Sequence, residues 1–221
     1  MTTTTHPLAE QLADFRADFQ SKAPQDAQVT MAEATEALEA SGIANQALTV
    51  NDKAPDFELP DATGKLVRLS ELLKQGPVVI NFYRGEWCPY CNLELRAFQN
   101  LLSEFKQANA TLVAVSPELP DHSLSVTEKH SLEFAVLSDV GNKVSRQYGL
   151  VFTLDASLQP LYEGFGIDIP TSNGDDSYEL PLPATYVIDQ SGRIRYAFAE
   201  ADYTLRAEPQ DVLAVVKELG S

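Results

Sequence analysis

At 221 residues and 44% apolar content, the chain is long enough for one domain of ordinary size plus an extension, with material for a substantial core. Sixteen basic residues against 32 acidic ones leave a formal net charge of −16, which repels nucleic acid and anionic lipid surfaces and so excludes them as partners. The opening "MTTTTHPLAEQLADF" has no basic region followed by an apolar run and no small-residue cleavage site, and no stretch approaches 18 consecutive apolar residues. The expectation is a soluble, cytoplasmic protein without a membrane partner.

In chain order, Leu8, Leu12, Phe15 and Phe19 fall at helical spacing, and "MAEATEALEA" is a second helix-like run ending near Ser41 and Gly42, with Pro24 between the two. Apart from the short Thr2–Thr5 run there is no repeat or low-complexity segment. Residues 1–50 therefore read as a helical arm, and 51–221 as the main domain. An amphipathic arm either covers core surface or meets a second subunit in a homodimer; its residue types offer no catalytic constellation.

From Asn51 the texture changes. "DATGK" is a turn between two short strand-like runs, and Ser70 is placed to cap a helix turn after them. "PVVINFY" is a continuous β-branched apolar run, the pattern of a strand buried on both faces, and "TLVAVS" and "FAVLS" repeat it. Between them, Leu93, Leu95, Phe98, Leu101, Leu102 and Phe105 keep a period near 3.6, and Asn142–Tyr148 makes a shorter helix. Alternating strand and helix predicts a mostly parallel sheet. The segment between Pro160 and Pro183 is Gly-, Pro-, Asp- and Asn-rich and too long for an ordinary connection, so it either shapes a site or is a surface insertion. "ATYVID", "QSG" and "RIRYAF" read as a closing hairpin, and "EPQDVLAVVKELG" as a last helix stopping near Gly220.

The chain has two cysteines, Cys88 and Cys91, in "FYRGEWCPYCNLEL", where a buried strand ends and a helix begins. Unsatisfied N–H groups and the positive end of the helix dipole favour thiolate at Cys88. Cys91 comes one turn later on the same face, within disulfide reach of about 5 to 6 Å between Cα atoms. Pro89 suits the first helical turn, and Trp87 can shield one side of the sulfurs. Zinc normally needs four ligands, while His6, His122 and His130 are scattered and no second cysteine pair exists, so no metal and no other cofactor is expected. Redox chemistry of the pair is the reading that remains strongest.

These residues carry a resemblance. The strand, turn and "WCPYC" helix start look like the thioredoxin superfamily, and "LPATYVID" resembles the segment where that superfamily places a cis-proline; this makes Pro183 the candidate and Leu182 the residue presenting a backbone edge to substrate. "APDFELPDATGKLVRLSEL", "VVINFYRGEWCPYC", "LSDVGNKVSRQYGL" and "TYVIDQSGRIR", in that order, resemble the peroxiredoxins of the alkyl hydroperoxide reductase and thiol-specific antioxidant family, from about Val50 to Phe198. Arg-Gly-x-Trp-Cys-Pro-x-Cys is similar to a bacterial peroxiredoxin-like branch of selenoprotein U type.

The resemblance implies an α/β fold: a thioredoxin-like, peroxiredoxin-type central β-sheet flanked by helices, with an N-terminal helical extension. It also implies a thiol peroxidase in which Cys91 occupies the peroxide-attacking slot, Cys88 resolves the sulfenic acid as a disulfide, and a thioredoxin-like donor reopens it. Arg84 and Cys88 stand where that family has proline and threonine, and the family's late arginine falls at Pro183. Arg84 is then the nearest substitute cation, with Arg206 a more distant one. Two alternatives stay open: a thiol–disulfide oxidoreductase acting on a protein disulfide, with Cys88 exposed and attacking and Cys91 resolving, and a redox sensor without turnover. Thioredoxins use a buried carboxylate behind the cysteines, but Asn81 or Phe82 holds that place here, leaving Glu86 as the nearest acid in sequence.

Overall fold

The structure, a computed structural model, describes residues 7–220; the Thr2–Thr5 run and His6 lie outside the described residues. The chain opens with α1 (Leu8–Lys22) and α2 (Gln25–Ala40). Pro24 separates them because the residue before a proline is driven out of the helical region, and Ala23 is extended at φ −71°, ψ 145°. Gln28 Nε2 donates to the carbonyls of Gln20 and Ala23, both at 2.9 Å, clasping the corner. Gly42 then ends α2 at φ 70°, a left-handed stop.

A 3-10 turn at Ile43–Gln46 leads to the hairpin β1 (Glu58–Pro60) and β2 (Leu66–Arg68), followed by α3 (Leu69–Leu73). Ser70 does not cap α3: it lies inside the helix, and its own N–H donates to Asp56 Oδ1 at 2.9 Å, so this first-turn N–H is satisfied from the segment before β1. Next come β3 (Val78–Phe82), α4 (Pro89–Gln107), β4 (Thr111–Ser116), α5 (Pro120–His130), β5 (Ala135–Ser138) and α6 (Lys143–Gln147). The chain continues through β6 (Val151–Thr153), α7 (Gln159–Gly164), α8 (Ile169–Asn173) and β7 (Glu179–Pro181). It closes with β8 (Ala184–Ile188), β9 (Ile194–Ala199) and α9 (Pro209–Leu219).

The central sheet has the order β5-β4-β3-β8-β9. It is mixed rather than mostly parallel: β3–β4 and β4–β5 are parallel, while β3–β8 and β8–β9 are antiparallel. The cause lies in the connection after β5, which is not a simple helical crossover and returns the chain to the middle of the sheet in the opposite direction. Every side chain of β3 is buried, and the strand period of two sends Val79 to a core shared with α1, α4, α5 and α9, and Val78, Ile80 and Phe82 to a core shared with β1 and α3.

The 160–183 segment is not a plain loop. It folds as α7, α8 and β7, with Tyr162, Ile169 and Leu180 buried in a small apolar cluster of their own. β7 pairs antiparallel with β6, and Leu182 N–H donates to Leu150 O at 2.8 Å. Two expectations fail here. No cis peptide bond occurs among the described residues, so Pro183 is trans, and the Leu182 backbone N–H is already paired instead of being offered to a substrate. Among the described residues no helix is long and apolar enough to cross a membrane, and no group of three metal-binding side chains converges.

Candidate active site

The site forms where β3 ends and α4 begins. Cys88 is the N-cap of α4 with extended φ/ψ (−89°, 109°), Pro89 takes the first helical position, and Cys88 O receives Asn92 N–H at 3.1 Å. Upstream, Gly85 makes the turn at φ 157°, and Cys88 N–H closes it onto Gly85 O at 3.1 Å. A Cβ at Gly85 would lie 2.3 Å from Trp87 Nε1 and 2.9 Å from Glu118 Oε1, so only glycine fits. Both cysteines are free thiols and both are buried, Cys88 at 1% and Cys91 at 0% exposure. The expectation that Cys88 is exposed at the helix start is thus corrected: side chains of the arm and of α7 cover it.

Two buried guanidinium groups flank the sulfurs. Arg206, from the tail before α9, points Nη2 at Cys91 Sγ (3.4 Å) and lies 4.0 Å from Cys88 Sγ. Its Nε donates to Glu94 Oε2 at 3.0 Å and its Nη1 to Tyr203 O at 2.9 Å, which fixes the fork in place. The more distant cation of the sequence reading is therefore the one in contact with the thiols. Arg84 is also buried; its Nη2 donates to Tyr162 OH at 2.7 Å, and its Cζ stacks 4.9 Å from the Trp87 ring, 5.7 Å from Tyr162 and 4.6 Å from Tyr203. Arg84 Nε has no hydrogen-bond partner.

These contacts split the two thiols. Burial alone raises Cys88, but the hydrogen bond from the Cys91 thiol and the charges of Arg84 and Arg206 outweigh it and hold Cys88 well below the usual thiol range. Cys91 is pushed well above that range by burial, by the proton it gives to Cys88 and by the charge resting there. Arg206 is nearer Cys91, which by distance alone would favour the anion on that sulfur. Cys88 has the further advantages of the helix N-cap and of Arg84, so the pair's single negative charge rests on Cys88.

Two buried carboxylates that sequence reading missed lie close by. Glu94, from α4, pairs with Arg206 and receives a weak bond from Thr185 Oγ1 at 3.4 Å; burial pushes it up to about 7 even with the cation beside it. Glu118, after β4, accepts Glu86 N–H at 2.8 Å, and burial pushes it up to about 8. The buried carboxylate near the cysteines thus comes from α4 rather than β3. Asn81 instead donates to Thr185 Oγ1 at 3.1 Å, and Glu86 pairs with Lys129 at the surface. The i, i+3 spacing of Cys91 and Glu94 on one helical face was the available signal for Glu94.

Cys88 lines a cavity of about 280 Å³. Arg84, Trp87, Tyr90 and Tyr203 form one side, α7 with the residues after it another, and the arm the rest. Hollows of about 310 and 320 Å³ elsewhere on the surface contain no thiol, so size alone does not mark the site. Leu182 and Pro183 stay outside the thiol cavity; Pro183 lines a neighbouring hollow beside Arg84 and Tyr162.

Comparison with known proteins places this geometry. The AhpC/TSA family profile matches residues 50–197. Peroxiredoxin Q of Gentiana triflora chloroplasts is 31% identical over 144 residues, 65% of this chain and 56% of that protein. The chloroplastic peroxiredoxin Q of Sedum lineare is 30% identical over 151 residues, 68% of this chain and 69% of that protein. This chain thus spans little more than half of the first relative and about two thirds of the second. Peroxidoxin BcpB of Mycobacterium tuberculosis superposes with a TM-score of 0.62 at 26% identity, over 79% of this chain and 99% of that one. Peroxiredoxin Q of Xanthomonas campestris shares the fold, with a TM-score of 0.58 at 19% identity over 75% and 92% of the two chains. The extent of these matches, with the paired cysteines at the strand-to-helix turn, shows that the chain belongs to the AhpC/TSA family.

Proposed function

We infer that the protein is a thiol peroxidase that reduces hydroperoxides with the Cys88–Cys91 pair, and that Cys88 carries the attacking thiolate. The single observation behind this reading is that the sulfur favoured as thiolate is also the sulfur that lines the cavity. The resemblance gives Cys91 the attacking slot, but Cys91 is fully buried and does not line the cavity that Cys88 lines.

Cys88 thiolate displaces alkoxide or hydroxide from the peroxide oxygen it attacks: the O–O bond breaks, sulfur loses two electrons, and Cys88 sulfenic acid forms. The leaving anion develops beside Arg84 and Arg206 and takes the Cys91 thiol proton. Cys91 thiolate then attacks the sulfenic sulfur, closing the disulfide and expelling hydroxide, which solvent protonates. Two electrons from a thioredoxin-like dithiol reopen the bond. A cytoplasmic setting, with its reducing thiol pool, suits that last step.

A protein disulfide fits less well as first substrate. Attack on a protein disulfide, like the later reopening by a thioredoxin-like dithiol, needs the arm to move off a sulfur that is 1% exposed, and the Leu182 N–H that would dock a peptide is already bonded to Leu150. A small peroxide has neither obstacle.

Treating Cys88→Ser and Cys91→Ser with hydroperoxide and trapping sulfenic acid tests the reading. Trapping in Cys91→Ser alone is the expected result. Trapping in Cys88→Ser alone returns the attack to Cys91, and oxidation of the unmodified pair no faster than a free thiol removes the peroxidase reading.

A further inference from the structure

The wall of the thiol cavity is built from two parts of the chain. Trp87, Tyr90 and Tyr162 belong to the 50–197 stretch shared with the family, whereas Phe15, Phe19 and Met31 come from α1 and α2, outside it. We propose that these three arm residues seat the apolar part of an organic hydroperoxide, so that the arm sets which peroxides reach Cys88. The inference rests on the thiol-peroxidase reading and extends it to a substrate class.

The arm is fixed over the site. The backbone N–H groups of Leu8 and Ala9 donate to the Glu208 carboxylate, each at 3.1 Å, and Leu48 N–H beyond α2 donates to Tyr148 O at 3.1 Å. Phe15 meets the Tyr90 ring edge-on at 5.0 Å, and Phe19 meets Phe165 at 6.4 Å. Only the start of the arm enters the core, through Leu8 and Leu12 of α1; Ala27 is the buried residue of α2, and Phe15, Phe19 and Met31 are half-buried around a hollow.

Size and chemistry of the hollow name its occupant. A water molecule takes about 30 Å³, so hydrogen peroxide would leave most of the roughly 280 Å³ unfilled. The lining is mostly aromatic and aliphatic; its polar groups are the Cys88 sulfur, the hydroxyls of Tyr90, Tyr162 and Tyr203, the Trp87 indole N–H and Arg84, whose buried Nε still lacks an acceptor. One thiolate, two unpartnered N–H groups, Arg84 Nε and Trp87 Nε1, and a mostly apolar wall suit a peroxy group carried on an alkyl or aryl body, with the peroxy oxygens at Cys88 and Arg84 and the body against the arm.

The test compares rate constants for oxidation of the reduced protein by cumene hydroperoxide and by hydrogen peroxide, followed through the fluorescence of Trp87, the single tryptophan. Measuring both peroxides on one preparation makes their ratio independent of the folded fraction. The unmodified protein is expected to favour cumene hydroperoxide by at least tenfold. Phe19→Ala combined with Met31→Ala should lower the ratio about tenfold, the scale of losing apolar contacts in a pocket. Met31→Gln, which keeps the volume and adds a polar amide at a half-exposed site, should move it the same way. A ratio within twofold of the parent in both variants, or equally fast oxidation of the parent by both peroxides, overturns the role of the arm alone. Failure of both peroxides to oxidise the parent overturns the thiol-peroxidase reading and takes this inference with it.

Discussion

Arg206 holds Glu94 at 3.0 Å, with both side chains only 1% exposed, and turns its remaining Nη2 toward the two sulfurs. One cation thus neutralises a buried carboxylate and stabilises a thiolate. Arg206→Met should cost about 3–5 kcal/mol of stability by leaving Glu94 buried and uncompensated. Adding Glu94→Gln should recover most of that loss, because the stranded charge is gone. The thiolate contact is not recovered: peroxide oxidation should stay on the order of 100-fold slower than in the parent, and alkylation of Cys88 should begin at higher pH. Urea midpoints and the pH profile of alkylation separate the effects. Parent-like alkylation in the double variant would show that Arg206 only holds Glu94.

Arg84 differs in having aromatic rings and a phenol, rather than a carboxylate, as its partners. A planar guanidinium stacks on Trp87 and Tyr203 while donating to Tyr162; an ammonium cannot do all three. Arg84→Lys should therefore behave closer to Arg84→Met than to the parent. Both variants should move the Cys88 thiolate absorbance at 240 nm to higher pH and slow oxidation on the order of tenfold, about 1.4 kcal/mol. Coincident titrations in parent and Arg84→Met would reduce Arg84 to packing.

Gly85→Ala tests the turn that aims Trp87 and Cys88. The added methyl meets the Trp87 indole and the Glu118 carboxylate, on a backbone at φ 157° that L-residues avoid. The expected cost is about 2–3 kcal/mol, read as a lower Tm, with a shift in Trp87 emission as the ring is displaced. Unchanged stability and emission would mean that the turn relaxes freely.

Much of this architecture was readable because local chemistry and final environment agree. "PVVINFY" is buried on both faces as its apolar run requires, and Cys88 with Pro89 starts α4 as caps and prolines do. What stayed hidden depends on distance along the chain. Arg206 lies 115 residues from Cys91, and no local pattern announces that a tail arginine returns to the sulfurs. Glu94 is a charged residue on an amphipathic helix, and its i, i+3 spacing from Cys91 is the one local hint that it turns inward. The sheet direction and the pairing of Leu182 were missed for a related reason: β6 and β7 are three residues each, too short to leave a periodic signal, yet their pairing takes the N–H that a substrate was expected to use.

Glu118 offers a pH test that leaves the cysteines untouched. It is fully buried, Oε2 accepts the Glu86 N–H at 2.8 Å, and Oε1 has no partner. Burial, reinforced by the charges on Glu86 and Cys88, carries it from the ordinary 4.5 up to about 8. A carboxyl raised on folding binds its proton more tightly in the native state, so its contribution is complete below about 4.5 and drains away as pH climbs through about 8. Glutamine does not titrate and still accepts from Glu86 N–H, so Glu118→Gln should match the parent near pH 5 and exceed it increasingly up to pH 8, by about 1.4 kcal/mol per pH unit at most. Glu94 drains the parent in the same direction up to about 7, and the lowered Cys88 thiol opposes it, but both remain in the variant. The difference between the two proteins therefore isolates Glu118. Urea midpoints at pH 5, 7 and 9 measure it: a widening gap is the expected result, and parallel curves would mean that Glu118 is ionised throughout this range in the folded protein.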